Sequence, residues 1–116
     1  MSLRDRILSA NDIQSNITHV ESWGVDLDIR TITAVERSRL VAQCTKEDGS
    51  VDMEKMYPLL IISAVFDPET GEKVFTSDDM LLIQDKSASA VEFVAQKVME
   101  SSGMLAKAVD LEGKSN

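Results

Sequence analysis

Cysteine is nearly missing from these 116 residues: Cys44 stands alone, so no disulfide framework can staple the fold. Histidine is as scarce, with only His19. There is no Cys/His cluster, no serine set between glycines, and no glycine-rich loop of the kind that cradles phosphates. These absences remove the usual supports of nucleophilic, metal-assisted and nucleotide chemistry, and an enzyme is not expected. A long apolar run is also lacking. The longest, Tyr57 to Phe66, is too short to cross a bilayer, and the first residues lack a signal-peptide pattern, so a cytoplasmic protein is expected. Basic residues are the minority, 12 against 20 acids, for a formal charge of −8. The acids are spread along the chain. Such a surface repels phosphate, which argues against nucleic acid and anionic membranes as partners, and the dispersion argues against a nucleic-acid mimic.

What is present reads as one α+β domain over residues 1–104, followed by a flexible tail over 105–116. About five helices are expected, with one or two small antiparallel hairpins forming a minor sheet. Leu3, Ile7 and Leu8 fall at helical spacing in a short first helix. Val25, Leu27 and Ile29 alternate with Asp26, Asp28 and Arg30, the pattern of a strand with one buried face. Ser22-Trp23-Gly24 permits a reversal from the preceding Ile17–Glu21 run. Thr33 and Glu36 are spaced as a capping box and should open a helix in which Val35, Leu40, Val41 and Cys44 share a face.

A further helix is expected from Met53, with Met56, Leu59, Leu60 and Ala64 along one side and Pro58 in its early part. Thr76–Asp79 should start a short helix, and Ser89 with Glu92 should cap the last one, whose stripe is Val91, Val94, Ala95 and Val98. Gly103 fits a helix stop.

Five carboxylates crowd the stretch from Phe66 to Asp79. A calcium loop needs oxygen ligands at alternate positions with glycine sixth. Here Gly71 is fifth from Asp67, and Pro68 and Lys73 intrude, so the stretch reads as a turn followed by a helix cap. No residue is assigned a catalytic, cofactor or metal role. His19 reads as a surface histidine, Cys44 as core filling, and Asp26 and Asp28 as the solvated face of a strand. Six methionines remain notable, because methionine suits surfaces that adapt to varied apolar partners. On helix faces alone, Met80, Met99, Met104 and Leu105 are the candidate partner contacts.

The order of the pieces resembles the tail assembly chaperones of long-tailed bacteriophages. In that family a strand with a Trp-Gly turn leads into L-T-x-x-E-R, matched here by Ile32-Thr33-Ala34-Val35-Glu36-Arg37. An apolar helix then ends in D-x-x-G-x-x-x-F, and Asp67, Gly71 and Phe75 stand in a version one residue longer. The step K-S-x-x-x-V appears as Lys86, Ser87 and Val91. The resemblance spans residues 20 to 104. It implies a chaperone in the host bacterial cytoplasm that coats the tape measure protein in many copies, helps recruit tail tube protein, and is absent from the finished virion, and it leaves open whether the chain is a homo-oligomer. It also implies an extended product made by a backward ribosomal slip, which codons for Glu112-Gly113-Lys114 could support. The alternative is a virion component such as a tail terminator or head–tail joining protein.

Overall fold

Residues 1–104 are described by a computed structural model of the chain. The expected tail, with Leu105 and Glu112–Lys114, lies outside the described residues. Strands β1 (Ser15–Val20) and β2 (Val25–Arg30) form the anticipated hairpin, with Val20 opposite Val25 and Ser15 opposite Arg30. Gly24 closes it at φ +64°, a left-handed conformation that glycine adopts without steric penalty, and its N–H reaches the Val20 carbonyl at 2.8 Å. The register puts Val20, Leu27 and Ile29 on one face of the pair, and all three are buried.

The described residues form five helices: α1 (Leu3–Ser9), α2 (Ala34–Cys44), α3 (Met53–Ala64), α4 (Met80–Gln84) and α5 (Ala88–Ser101). α3 is central, packing on α2, α4 and α5, with Leu60 and Ile61 fully buried. Its chain runs directly into β3 (Val65–Phe66), which pairs antiparallel with β2 and completes a sheet of order β1-β2-β3. The inner face of the sheet meets α5, whose Val91, Val94, Ala95 and Val98 are buried as the stripe predicts. The α+β architecture is therefore the one expected.

Local signals produced several of these elements directly. Thr33 Oγ1 accepts from the Glu36 N–H at 3.3 Å while Glu36 Oε1 accepts from the Thr33 N–H at 3.2 Å, so the capping box at α2 is closed. Asp67 folds the acidic stretch into a turn: its side chain accepts from the Glu69 N–H at 2.8 Å and its carbonyl from the Gly71 N–H at 2.7 Å, with Gly71 at φ +77°. Asp79 Oδ2 accepts from the Thr76 N–H at 2.9 Å, opening a single 3-10 turn (Ser77–Asp79) that leads into α4.

Other expectations need correction. Ser89 and Glu92 form no capping box. α5 begins two residues earlier, behind Ser87, and Ser89 sits inside the helix with its hydroxyl 3.1 Å from that of Ser87. Val35 and Val41 are exposed, because the buried stripe of α2 is the i, i+4 pair Leu40 and Cys44, and Val41 lies one step of about 100° round the helix from Leu40. Asp28 is buried, not solvated. It accepts hydrogen bonds from the Ser15 hydroxyl and from Arg30 Nε at 3.0 Å, and the Arg30 guanidinium lies 4.0 Å above the Phe66 ring. Two charge-assisted bonds and a cation–π contact offset the loss of hydration. Pro58 stands at the sixth position of α3, beyond the first turn where a missing N–H is harmless.

Candidate functional site

Pro58 leaves the Glu54 carbonyl without its helical donor, and that gap positions the candidate site. Gln84 Nε2 donates to the Glu54 oxygen at 3.0 Å, in place of the absent amide, and so ties the end of α4 to the first turns of α3. α4 is only five residues long. Such a helix has no stability of its own in water, so its contacts hold it. Ile83 is buried and Met80 is half-buried against the core, one helical turn apart. With those two turned inward, the helix must present Leu81 and Leu82 to solvent, where they are 74% and 65% exposed.

A groove lies on each side of this ridge. One, of about 270 Å³, runs between the hairpin tip and α4 and is lined by Trp23, Phe75, Leu82 and Ile83, with Asp79 and Lys86 at its margin. The other, of about 420 Å³, lies between α3, α4 and α5. Its apolar wall is Met53, Tyr57, Pro58, Ile83, Ala88 and Val91, and its charges are Glu54, Glu92 and Lys86. Ile83 and Lys86 belong to both. The arrangement is a leucine ridge between apolar troughs with carboxylates around it, suited to covering an apolar stripe on another chain.

The candidate methionines are placed differently from Leu81 and Leu82. Met80, Met99 and Met104 are half-buried and pack against the core cluster, while Leu105 lies outside the described residues. The leucines escaped the sequence reading because a five-residue helix is too short for its periodicity to show which side faces inward. Their one signal was the Asp79–Gln84 segment itself, three large aliphatic residues in a row beside a methionine.

Elsewhere the polar residues do structural work. His19 Nδ1 lies 2.7 Å from Asp26 Oδ1 on the outer face of the hairpin, both largely exposed. Cys44 is buried, and burial, with Asp52 adding, pushes its thiol above the ordinary value of 9.0, the reverse of an activated nucleophile. The hydroxyl and backbone N–H of Ser50 hold the Asp48 carboxyl below its ordinary 3.8 in a tight turn. Among the described residues no three His, Cys, Asp or Glu side chains converge as metal ligands, and no helix is long and apolar enough to cross a membrane.

The sequence matches no described protein family and no curated protein. Among solved structures, the chain is similar to the bacteriophage HK97 tail assembly chaperone, with a TM-score of 0.57 and 15% identity over 82% of this chain and 89% of that one. A likeness at that identity establishes a shared fold.

Proposed function

We propose that this chain is a tail assembly chaperone of a long-tailed bacteriophage, acting by binding and without a chemical step. It covers apolar stripes of the tape measure protein in the host cytoplasm, keeps that protein soluble, and helps recruit tail tube subunits. The observation that carries this reading is the Leu81–Leu82 ridge between two apolar grooves, set in a chain of net charge −8 whose fold is that of the HK97 chaperone. Burying a leucine contributes about 1.5–3 kcal/mol before the costs of association, so the ridge alone gives modest affinity, and repeated contacts along a long client would supply the rest. The surplus of carboxylates keeps the coated complex dispersed. Met80, Met99 and Met104 fit the reading as adaptable side chains at the edge of the core, able to shift as the client seats, and Leu105 extends that set from sequence alone.

Co-expression with the tape measure protein tests the proposal. The expected result is that the tape measure protein stays in the soluble fraction and co-purifies with this chain, while the double variant Leu81→Asp, Leu82→Asp folds normally and loses it. A client that precipitates equally with either form overturns the assignment. Peptides of this chain in purified particles would instead identify a resident tail-terminator or joining component.

A further inference from the structure

Between Val65 and Ala90 a single side chain is buried, that of Ile83. The chain is tied down at Val74, whose N–H donates to the Val65 carbonyl at 3.2 Å, and again at Ser87, behind which α5 begins. Residues 75–86, α4 included, cross the molecule between those two points. Their backbone bonds are local: the Asp79 N–H donates to the Thr76 carbonyl and the Lys86 N–H to the Ile83 carbonyl, both at 3.0 Å. Among the described residues, the one hydrogen bond that leaves the segment for the rest of the molecule is that of Gln84 to the Glu54 carbonyl, and it is exposed. Phe75 and Met80 add half-buried contacts with the core. We infer that residues 75–86 are a displaceable strap pegged by Ile83, and that an amphipathic client helix enters the molecule by taking the place of that peg.

The few anchors make a local opening favourable relative to unfolding of the whole chain. Once released, a helix of five residues does not persist in water, so α4 and its contacts give way together. Opening orphans no buried polar group. The Glu54 carbonyl loses Gln84 at an exposed bond, where water replaces the donor.

The position of the peg says what opening is for. Ile83 lines both grooves, so its withdrawal joins them into one apolar trough. The floor of that trough belongs to elements that stay in place: Trp23 at the hairpin tip, Tyr57 and Pro58 on α3, and Val91 on α5. A large apolar side chain entering the vacated socket restores the burial that Ile83 gave up. None of the residues lining the two grooves lies in a strand, so the entering segment finds no edge to pair with and must satisfy its own backbone hydrogen bonds, as a helix does. Leu81 and Leu82 travel with the strap and close over the seated helix, so the exposed ridge becomes the cover of the site.

The identity of the entering helix, an apolar stripe of the tape measure protein, rests on the chaperone reading; the strap itself does not. Two measurements keep them apart. The first is hydrogen exchange on the full chain alone, in increasing low urea, read by mass spectrometry. Peptides covering α4 are expected to exchange at least about tenfold faster than those of α3 and α5 and with little urea dependence, because a local opening exposes little surface. Gln84→Ala should raise the α4 rate about two- to tenfold, the factor that one hydrogen bond carries. Ile83→Val, which shortens the peg, should act in the same direction. Exchange of α4 at the rate and urea dependence of α3 and α5 overturns the strap.

The second is competition: wild type and Gln84→Ala, carrying different tags, are co-expressed with the tape measure protein. When only the open form admits the client, apparent affinity rises with the open fraction, so the variant should be recovered on the client in about two- to tenfold excess. An equal or smaller share overturns entry at the Ile83 socket. If neither form retains the tape measure protein, the chaperone reading falls, and exchange in the free chain alone decides the strap.

Discussion

Gln84 and Pro58 form a pair at the scale of single residues, since one supplies the donor that the other lacks. Gln84→Ala should cost about 0.5–1.5 kcal/mol in urea unfolding, the net worth of one hydrogen bond. In a Pro58→Ala background the new amide takes the Glu54 carbonyl itself. There the same Gln84 change should be nearly neutral, so the double-mutant cycle should show clear coupling; additive effects would mean that the side chain and the carbonyl are unconnected. Cys44 gives a second residue-scale prediction. Its folded value lies above 9.0, its ordinary and unfolded value, so the folded state holds the proton more tightly. Between the two values the unfolded chain binds fewer protons, and stability must fall as pH rises above about 9. Below that the group contributes no slope. Cys44→Ala should flatten this alkaline decline while lowering overall stability through the lost packing of a fully buried side chain, as urea titrations at pH 8 and pH 10 would reveal.

At the scale of elements, two capping motifs of similar sequence met different fates. The Thr33–Glu36 box is closed, whereas the Ser89–Glu92 box is empty because α5 starts behind Ser87. Thr33→Ala should therefore destabilise by about 1 kcal/mol and Ser89→Ala by less than about 0.5 kcal/mol, measured by chemical denaturation. Equal losses would place the start of α5 at Ser89 after all. The early start follows from packing: Ala90 and Val91 are already buried, so the helix must be formed before it reaches the residues that could have capped it. Gly103, at φ +73°, ends the same helix where a stop was expected.

At the scale of the whole molecule, the core centred on α3 and the exposed ridge on α4 are separate apolar sets, and charge substitution distinguishes them. Met99 packs against the core, so Met99→Asp should lower thermal stability by about 1–3 kcal/mol. Leu82→Asp, at a side chain 65% exposed, should leave the melting temperature almost unchanged while reducing retention of the tape measure protein. Paired scanning calorimetry and co-purification would check both, and a collapse on Leu82→Asp would place the ridge in the core.

The sequence by itself determined what depends on neighbours within a few residues. The Thr33–Glu36 cap, the reversal at Gly24, the Asp67–Gly71 turn and the stripe of α5 each rest on local hydrogen bonds, backbone freedom or helical period, and each formed as read. Net charge, too, is a sum over residues that needs no fold. Only the tertiary structure decided which apolar and polar side chains are covered. Met80 and Ile83 turn inward and Leu81 and Leu82 outward although all four are apolar, and Asp28 is enclosed although its strand alternates. β3 is two residues that become a strand only beside Asp28 and Ile29, and Pro58 is tolerated because a glutamine 26 positions later replaces its amide (84 − 58). Burial is a property of surfaces that meet across long separations in the chain, so hydrophobicity sets the free energy available and the arrangement of α3, α4 and the sheet decides where it is gained.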